Sequence, residues 1–176
     1  MTAIKVKRLR VHWFWFASLI GLAALAASSI LFANRQIVIN TSPSVPSGLY
    51  LRSTAAPAIG QIIDFRIPQS ARNYIETRTG QNGEDWFILK PIAAGPGDRV
   101  DTTGELLLIN GRQIAPMPPT NDAGGRSLPV WRDDRVLRSD EFFVFSARIP
   151  NSFDSRCYGP IERGQIESVR QPLLTW

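Results

Sequence analysis

The chain has 176 residues, 20 of them basic and 15 acidic, and it holds a single cysteine and a single histidine. The lone Cys157 can form no intrachain disulfide and no thiolate zinc cluster, and the lone His12 precedes a long apolar run, so a Ser-His-Asp triad, a Cys-His pair and a histidine-ligated zinc are excluded from everything that follows it. The net charge of +5 is local: Lys5, Lys7, Arg8 and Arg10 fall within the first ten residues, whereas from Val11 onward sixteen basic residues face fifteen acidic ones, so the charge is not the basic stripe of a nucleic-acid-binding face.

In chain order, residues 1–12 form a basic segment, and Trp13–Ala33 follows as twenty-one uncharged residues. As a helix at about 1.5 Å per residue this stretch is about 31 Å long, enough to cross a bilayer core. Trp13 and Trp15 sit at its basic end, where indoles favour the interface, and the positive-inside rule places residues 1–12 in the cytoplasm and everything after Asn34 outside. The segment is therefore expected to be a single-pass anchor that contacts membrane lipid. A cleaved signal peptide is the competing reading, with Ala24-Leu25-Ala26 as its cleavage site, but the apolar run continues past that point through Ile30, Leu31 and Phe32. A buried core helix is disfavoured because nothing polar marks an outer face.

Beyond the anchor, thirteen glycines and thirteen prolines in the chain punctuate short apolar pieces, which favours strands and turns. Strands are predicted at Ile62–Arg66, Trp86–Lys90, Arg99–Asp101, Leu106–Ile109, Gln113–Ala115, Glu141–Ser146 and Ile166–Arg170. Asn110-Gly111 accepts the positive φ angles of a type I′ turn and predicts a hairpin. One helix is predicted over Ser70–Arg78, with Ser70 as its N-cap, and residues 117–131 read as a Pro/Gly-rich loop. The fold class is mainly β, one domain over residues 37–176, without internal repeats.

Lys90 is the only lysine after the anchor, where arginine occupies fifteen positions. An arginine keeps its proton at any accessible pH, whereas a lysine amine in an apolar pocket can lose it and act as a general base. Trp86-Phe87-Ile88-Leu89 before Lys90 and Pro91-Ile92-Ala93-Ala94 after it supply such surroundings, although an ordinary surface lysine stays open as a reading. With histidine excluded, a Ser-Lys dyad is the remaining hydrolase design. Just beyond the anchor lies Asn40-Thr41-Ser42-Pro43-Ser44-Val45-Pro46-Ser47-Gly48-Leu49-Tyr50, in which Pro43 and Pro46 fix φ around Ser44 and leave backbone N–H groups free for an oxyanion. Taken alone, such a stretch after a membrane helix is most often a linker.

Three separated blocks, in order, resemble the signal peptidase I family of Ser-Lys membrane proteases, and most closely its TraF-type conjugal-transfer branch. Ser44-Val45-Pro46-Ser47-Gly48-Leu49-Tyr50 is similar to the branch's Ser-x-Pro-x-Gly-Leu-Tyr element, and differs from the Ser-Met-x-Pro of general signal peptidases. Lys90-Pro91-Ile92-Ala93-Ala94-Gly95-Pro96-Gly97-Asp98-Arg99-Val100 is similar to the family's lysine block, with Pro91 where arginine is usual. Asn151-Ser152-Phe153-Asp154-Ser155-Arg156-Cys157-Tyr158-Gly159-Pro160-Ile161 is similar to the Ser-x-Asp-Ser-Arg block, with Cys157 where an aromatic residue is usual.

The resemblance implies a signal-peptidase-like β domain, with Ser44 as nucleophile, Lys90 as base and Asp154 as an acid that orients Lys90 or pairs with Arg156. It implies the Ser44 N–H as the first oxyanion donor, with a hydroxyl of Thr41 or Ser42 as the second. It further implies a bacterial inner-membrane enzyme with its catalytic domain in the periplasm, needing no cofactor or metal. The expected partner is a pilin precursor, cleaved at small side chains as in Ala-x-Ala sites, with joining of the pilin ends as one outcome. Two other readings remain: a general leader peptidase, and a catalytically silent membrane-anchored scaffold of the secretion apparatus. Gly97 and Asp98 are expected to form and brace a tight turn, and Cys157 to be a small packed residue.

Overall fold

A computed structural model describes residues 3–80, 82–83, 86–122 and 124–176, with side chains from Trp13 onward apart from that of residue 14. The expected basic segment 1–12 thus lies outside the described side chains. The chain divides into two units, Met1–Val38 and Ile39–Trp176. The first is dominated by helix α1 (Ala3–Ala33), whose part Trp15–Ala33 has a mean hydropathy of 2.1 and is a candidate membrane span. Its described side chains carry no charge, its large apolar ones are exposed on all sides, and Ser28 and Ser29 turn their hydroxyls back to the Leu25 carbonyl, which suits a lipid solvent and not a two-faced surface helix.

The second unit is mainly β, with one large sheet and one small. The strands are β1 (Ile37–Asn40), β2 (Gly48–Ser53), β3 (Ile62–Arg66), β4 (Phe87–Ala94), β5 (Arg99–Asp101), β6 (Leu106–Ile109), β7 (Arg112–Pro116), β8 (Asp134–Val136), β9 (Glu141–Val144), β10 (Ile161–Glu162) and β11 (Ile166–Thr175). Helices α2 (Gln69–Thr79) and α3 (Ser155–Tyr158) interrupt them. The large sheet runs β1-β2-β11-β3-β4-β9-β10 and the small one β7-β6-β5-β8. All the registered pairs between strands are antiparallel. One core cluster packs Ile63, Phe65, Ile92, Val144, Cys157 and Val169 with α2's Ala71 and Ile75, and a second packs Ala94, Val100, Leu107, Leu137 and Phe143. Cys157 is buried there as a packing residue.

Three of the seven predicted strands coincide with the observed ones, and the others differ for physical reasons. The strand expected to stop at Lys90 runs on to Ala94, because Pro91 needs no donor there: it faces Ile62, and its carbonyl accepts from the Phe145 N–H at 3.1 Å. The strand expected to stop at Arg170 continues through Pro172, where the pairing with β2 shifts register. The strand expected to reach Ser146 ends at Val144. The hairpin forms as predicted, with Asn110 at φ 51° and Gly111 at φ 75° joining β6 to β7. Helix α2 forms, but Ser70 is not its N-cap; Pro68 holds that position without a side-chain hydrogen bond, and the Ser70 hydroxyl donates instead to the Tyr158 carbonyl at 3.2 Å. At Gly97, φ is 86°, and Asp98 braces that turn by accepting from the Gly95 N–H and the Asn110 amide, each at 2.8 Å.

Candidate active site

Ser44 lies in the loop between β1 and β2, and four side chains hold that loop by its carbonyls. The buried Asn40 amide donates to the Ser42, Pro46 and Val45 carbonyls at 2.8, 3.0 and 3.2 Å, while its oxygen accepts from the Ser42 N–H at 3.2 Å. Tyr50 donates its hydroxyl to the Pro46 carbonyl at 2.7 Å. From the segment after β9, Ser146 Oγ donates to the Ser44 carbonyl at 2.5 Å and Arg148 Nε to the Pro43 carbonyl at 3.2 Å. A loop with two prolines cannot satisfy itself with ladder hydrogen bonds, so these side chains replace the ladder. The outcome is a serine that is 1% exposed and fixed in position. Its Oγ lies 3.0 Å from Ser42 Oγ and 3.5 Å from the Leu89 carbonyl, which puts the loop against the residue just before Lys90.

Lys90 projects from β4, pairs across the strand with Ile63 of β3, and is 4% exposed. Its Nζ donates to Ser152 Oγ at 3.0 Å, a neutral partner. Burial pulls the amine from its ordinary 10.5 down to about 8; the Asp154 carboxylate opposes that fall and the Arg156 guanidinium reinforces it. No hydrogen bond joins Lys90 to Ser44 in this structure; the two are neighbours through Leu89.

Asp154 lies at the start of α3, where its carboxylate accepts from the Arg156 N–H at 3.2 Å as an N-cap. It grips the Arg156 side chain at 2.9 Å through Nε and 3.0 Å through Nη2, with both residues almost fully buried. Of the two expected roles for Asp154, this is the pairing with Arg156. The carboxylate makes no hydrogen bond to Lys90 and acts on it through space. It also accepts from the Ser146 N–H at 3.4 Å, which ties it to the segment that holds Ser44. Of the two expected second oxyanion donors, Ser42 is the one whose hydroxyl stands beside Ser44 Oγ.

A groove of about 290 Å³ is lined by Ile39–Ser42 and by Trp86–Lys90 with Phe153; it reaches Ser42 and Lys90, while the buried Ser44 is not among its lining residues. β1 is an edge strand, and β9 pairs with β4 only from Ile92 on, so Ile88–Lys90 has no strand on its second side among the described residues. An extended peptide could be added there by backbone hydrogen bonds. Reasoning from sequence missed Asn40, Ser146, Arg148 and the function of Ser152. Ser152 stood inside the third block and could have been noted there; the other three act on backbone carbonyls and leave no pattern.

A mainly β domain that buries an amine beside a serine-bearing loop and an open groove has the parts of a serine hydrolase that works without histidine. Residues 10–174 match the family described as "Signal peptidase, peptidase S26". Two Escherichia coli proteins named "Plasmid transfer protein TraF" are each 32% identical, one over 78% of this chain and 82% of its own length, the other over 89% and 92%. A "Conjugal transfer protein TraF" of Agrobacterium tumefaciens (strain 15955) is 27% identical over 95% of this chain and 97% of its own. Among solved structures, a signal peptidase I from Enterococcus faecalis V583 is similar over 66% of this chain and 98% of its own, at 22% identity and a TM-score of 0.38. The chain belongs to the signal peptidase family, peptidase S26, a family of serine peptidases.

Proposed function

We propose that this chain is a membrane-anchored serine endopeptidase that uses a Ser44–Lys90 dyad to process a pilin precursor in conjugative transfer. The observation that carries the chemistry is the Lys90 amine, buried beside the Ser44 loop, held by a neutral hydroxyl and lowered to about 8, where a useful fraction is neutral near physiological pH. The conjugative role rests on relatives named for plasmid or conjugal transfer that are matched over 82–97% of their own lengths.

In the proposed reaction the scissile peptide lies in the groove and the Ser44 hydroxyl swings from Ser42 toward Lys90, forming with substrate bound a hydrogen bond that the free structure does not hold. Neutral Lys90 takes the hydroxyl proton as Ser44 Oγ bonds to the carbonyl carbon. The new oxyanion is met by the Ser44 N–H and the Ser42 hydroxyl. The carbon–nitrogen bond then breaks, and Lys90 returns the proton to the departing amine. Attack by water on the Ser44 ester releases an acid, whereas attack by the amino terminus of the same pilin joins its ends. The candidate span Trp15–Ala33 anchors the enzyme in the inner membrane, with residues 1–12 cytoplasmic and residues 37–176 periplasmic.

The test is co-expression of a candidate pilin precursor with the wild type, Ser44→Ala or Lys90→Arg, read by intact mass. Maturation is expected with the wild type alone, and hydrolysis and cyclisation differ by one water. Normal maturation with Lys90→Arg would overturn the dyad. Rescue of a cell depleted of its housekeeping leader peptidase would point to the general leader-peptidase reading.

A further inference from the structure

The proposed oxyanion donor, the Ser44 N–H, belongs to the Pro43–Ser44 peptide. That peptide is trans, like every other among the described residues, so its carbonyl points away from its N–H along the same rigid plane. The N–H end faces the hydroxyls: it lies 3.5 Å from Ser42 Oγ, which in turn lies 3.0 Å from Ser44 Oγ. The carbonyl end is held by the Arg148 guanidinium, through Nε at 3.2 Å. The next carbonyl along, that of Ser44, is held by Ser146 Oγ at 2.5 Å. These two side chains come from one short segment, whose turn is closed by the Arg148 backbone N–H donating to Ser146 Oγ at 3.3 Å. The segment is tied to the core in turn by the Ser146 N–H on Asp154 Oδ2 at 3.4 Å.

We infer that Arg148 and Ser146 form a two-point clamp that positions and polarises the oxyanion-binding peptide. This rests on the reading of Ser44 as nucleophile with its own N–H as oxyanion donor. A guanidinium on the Pro43 carbonyl draws electron density from that amide and strengthens its N–H as a donor, since hydrogen bonds in a chain polarise one another. Fixing the Ser44 carbonyl sets that residue's ψ and the peptide plane that follows it, so that with Arg148 on the preceding plane the backbone is held on both sides of the reacting hydroxyl. Neither side chain touches substrate, so both are positioning residues. Their effect belongs to the tetrahedral stage, when negative charge first appears on the substrate oxygen, and it should fall on kcat with KM nearly untouched.

The experiment uses the full-length chain in detergent micelles and a peptide spanning the junction mapped by the mass measurement above. Wild type, Ser44→Ala, Arg148→Ala, Arg148→Lys, Ser146→Ala and Ser146→Thr are compared for kcat, KM and thermal midpoint. Losing a donor that binds the oxyanion directly lowers kcat by about 100-fold to 1000-fold, so weakening one from behind is expected to cost about tenfold. Arg148→Ala should lose about that much with KM within about twofold; Arg148→Lys and added methylguanidinium should each restore part of the loss. Ser146→Ala should lose about fivefold, the value of one neutral hydrogen bond, and Ser146→Thr should keep most of the activity. If Ser44→Ala is inactive while Arg148→Ala and Ser146→Ala keep wild-type kcat, the clamp is refuted and the nucleophile assignment stands. If Ser44→Ala still cleaves, the underlying reading fails. A loss that tracks the thermal midpoint, with no rescue by lysine or methylguanidinium, would also refute the clamp, because it would be ordinary destabilisation.

Discussion

The proposed lysine base would leave a signature in the pH dependence of the rate, whose position follows from burial. The amine lies at about 8 instead of its ordinary 10.5. At pH 7 about 9% of it is then neutral, against about 0.03% for an exposed lysine, an advantage of about 300-fold in competent base. The perturbation is pH itself, and the assay is kcat/KM for a junction peptide between pH 5.5 and 9.5, which reports the free enzyme. The rate should climb about tenfold from pH 6 to pH 7 and level off above about pH 8 to 9. The same burial makes stability pH-dependent. Because the folded amine is lowered, the unfolded chain binds the proton first as pH falls, so the stabilisation is complete above about 10.5 and lost as pH drops to about 8. The loss amounts to about 3 kcal/mol. Lys90→Met should abolish both the rate and this slope in denaturant melts. A rate profile that is flat from pH 6 to pH 8, or one that turns only near pH 10, would refute the assignment of Lys90 as a buried base.

Asp154→Ala should destabilise the domain by about 3–5 kcal/mol in urea unfolding, because it strands the Arg156 charge in a site where both partners are almost fully buried. The milder Asp154→Asn, which removes the negative charge that favours the Lys90 ammonium, should move the rate inflection below about 8; an upward move would show that Asp154 acts otherwise. Asn40→Ala removes four hydrogen bonds to the Ser44 loop, three of them donated, and should cost about 2 kcal/mol of stability, with a fall in kcat that Asn40→Asp does not repair, since it restores only the acceptor. Cys157 should resist iodoacetamide at pH 8 until the protein is unfolded, since burial pushes its thiol up to about 12; rapid labelling of the native chain would contradict its place in the core.

How much of this could be read from the sequence depended on the range of the signal. Asn110-Gly111 specifies its own turn and was legible, as was the apolar span, because both are properties of consecutive residues. Proline misled in two strands: Pro91 and Pro172 look like stops, yet one sits where only a carbonyl is needed and the other at a register shift. The strands β1, β2, β8 and β10 were not foreseen. β10 is too short to show alternation, and β1 and β2 flank the proline-rich loop that drew attention to itself. At the site, Lys90 stood out because lysine is rare in the chain. Arg148 did not, because its partner is a backbone carbonyl 105 residues away and one arginine among fifteen looks like any other.

That contrast between the two cations runs through the whole domain. Where a fixed positive charge is buried, arginine supplies it and a carboxylate answers it: Arg170 meets Asp64 at 2.7 Å, and Arg156 meets Asp154 at 2.9 Å. A guanidinium in either place keeps its charge whatever the burial, so the pair stays ionic and structural. Lys90 is buried as deeply but is answered by a hydroxyl, Ser152, which can accept a hydrogen bond without holding the proton in place. The nearest acid, Asp154, has its oxygens committed to Arg156 and to the Ser146 N–H. By occupying that carboxylate, Arg156 keeps Asp154 from forming a direct ion pair with Lys90, a pair that would raise the amine back toward 10.5 and remove the proposed base. The third sequence block thus places an acid close to the lysine and, two residues on, the arginine that restrains it.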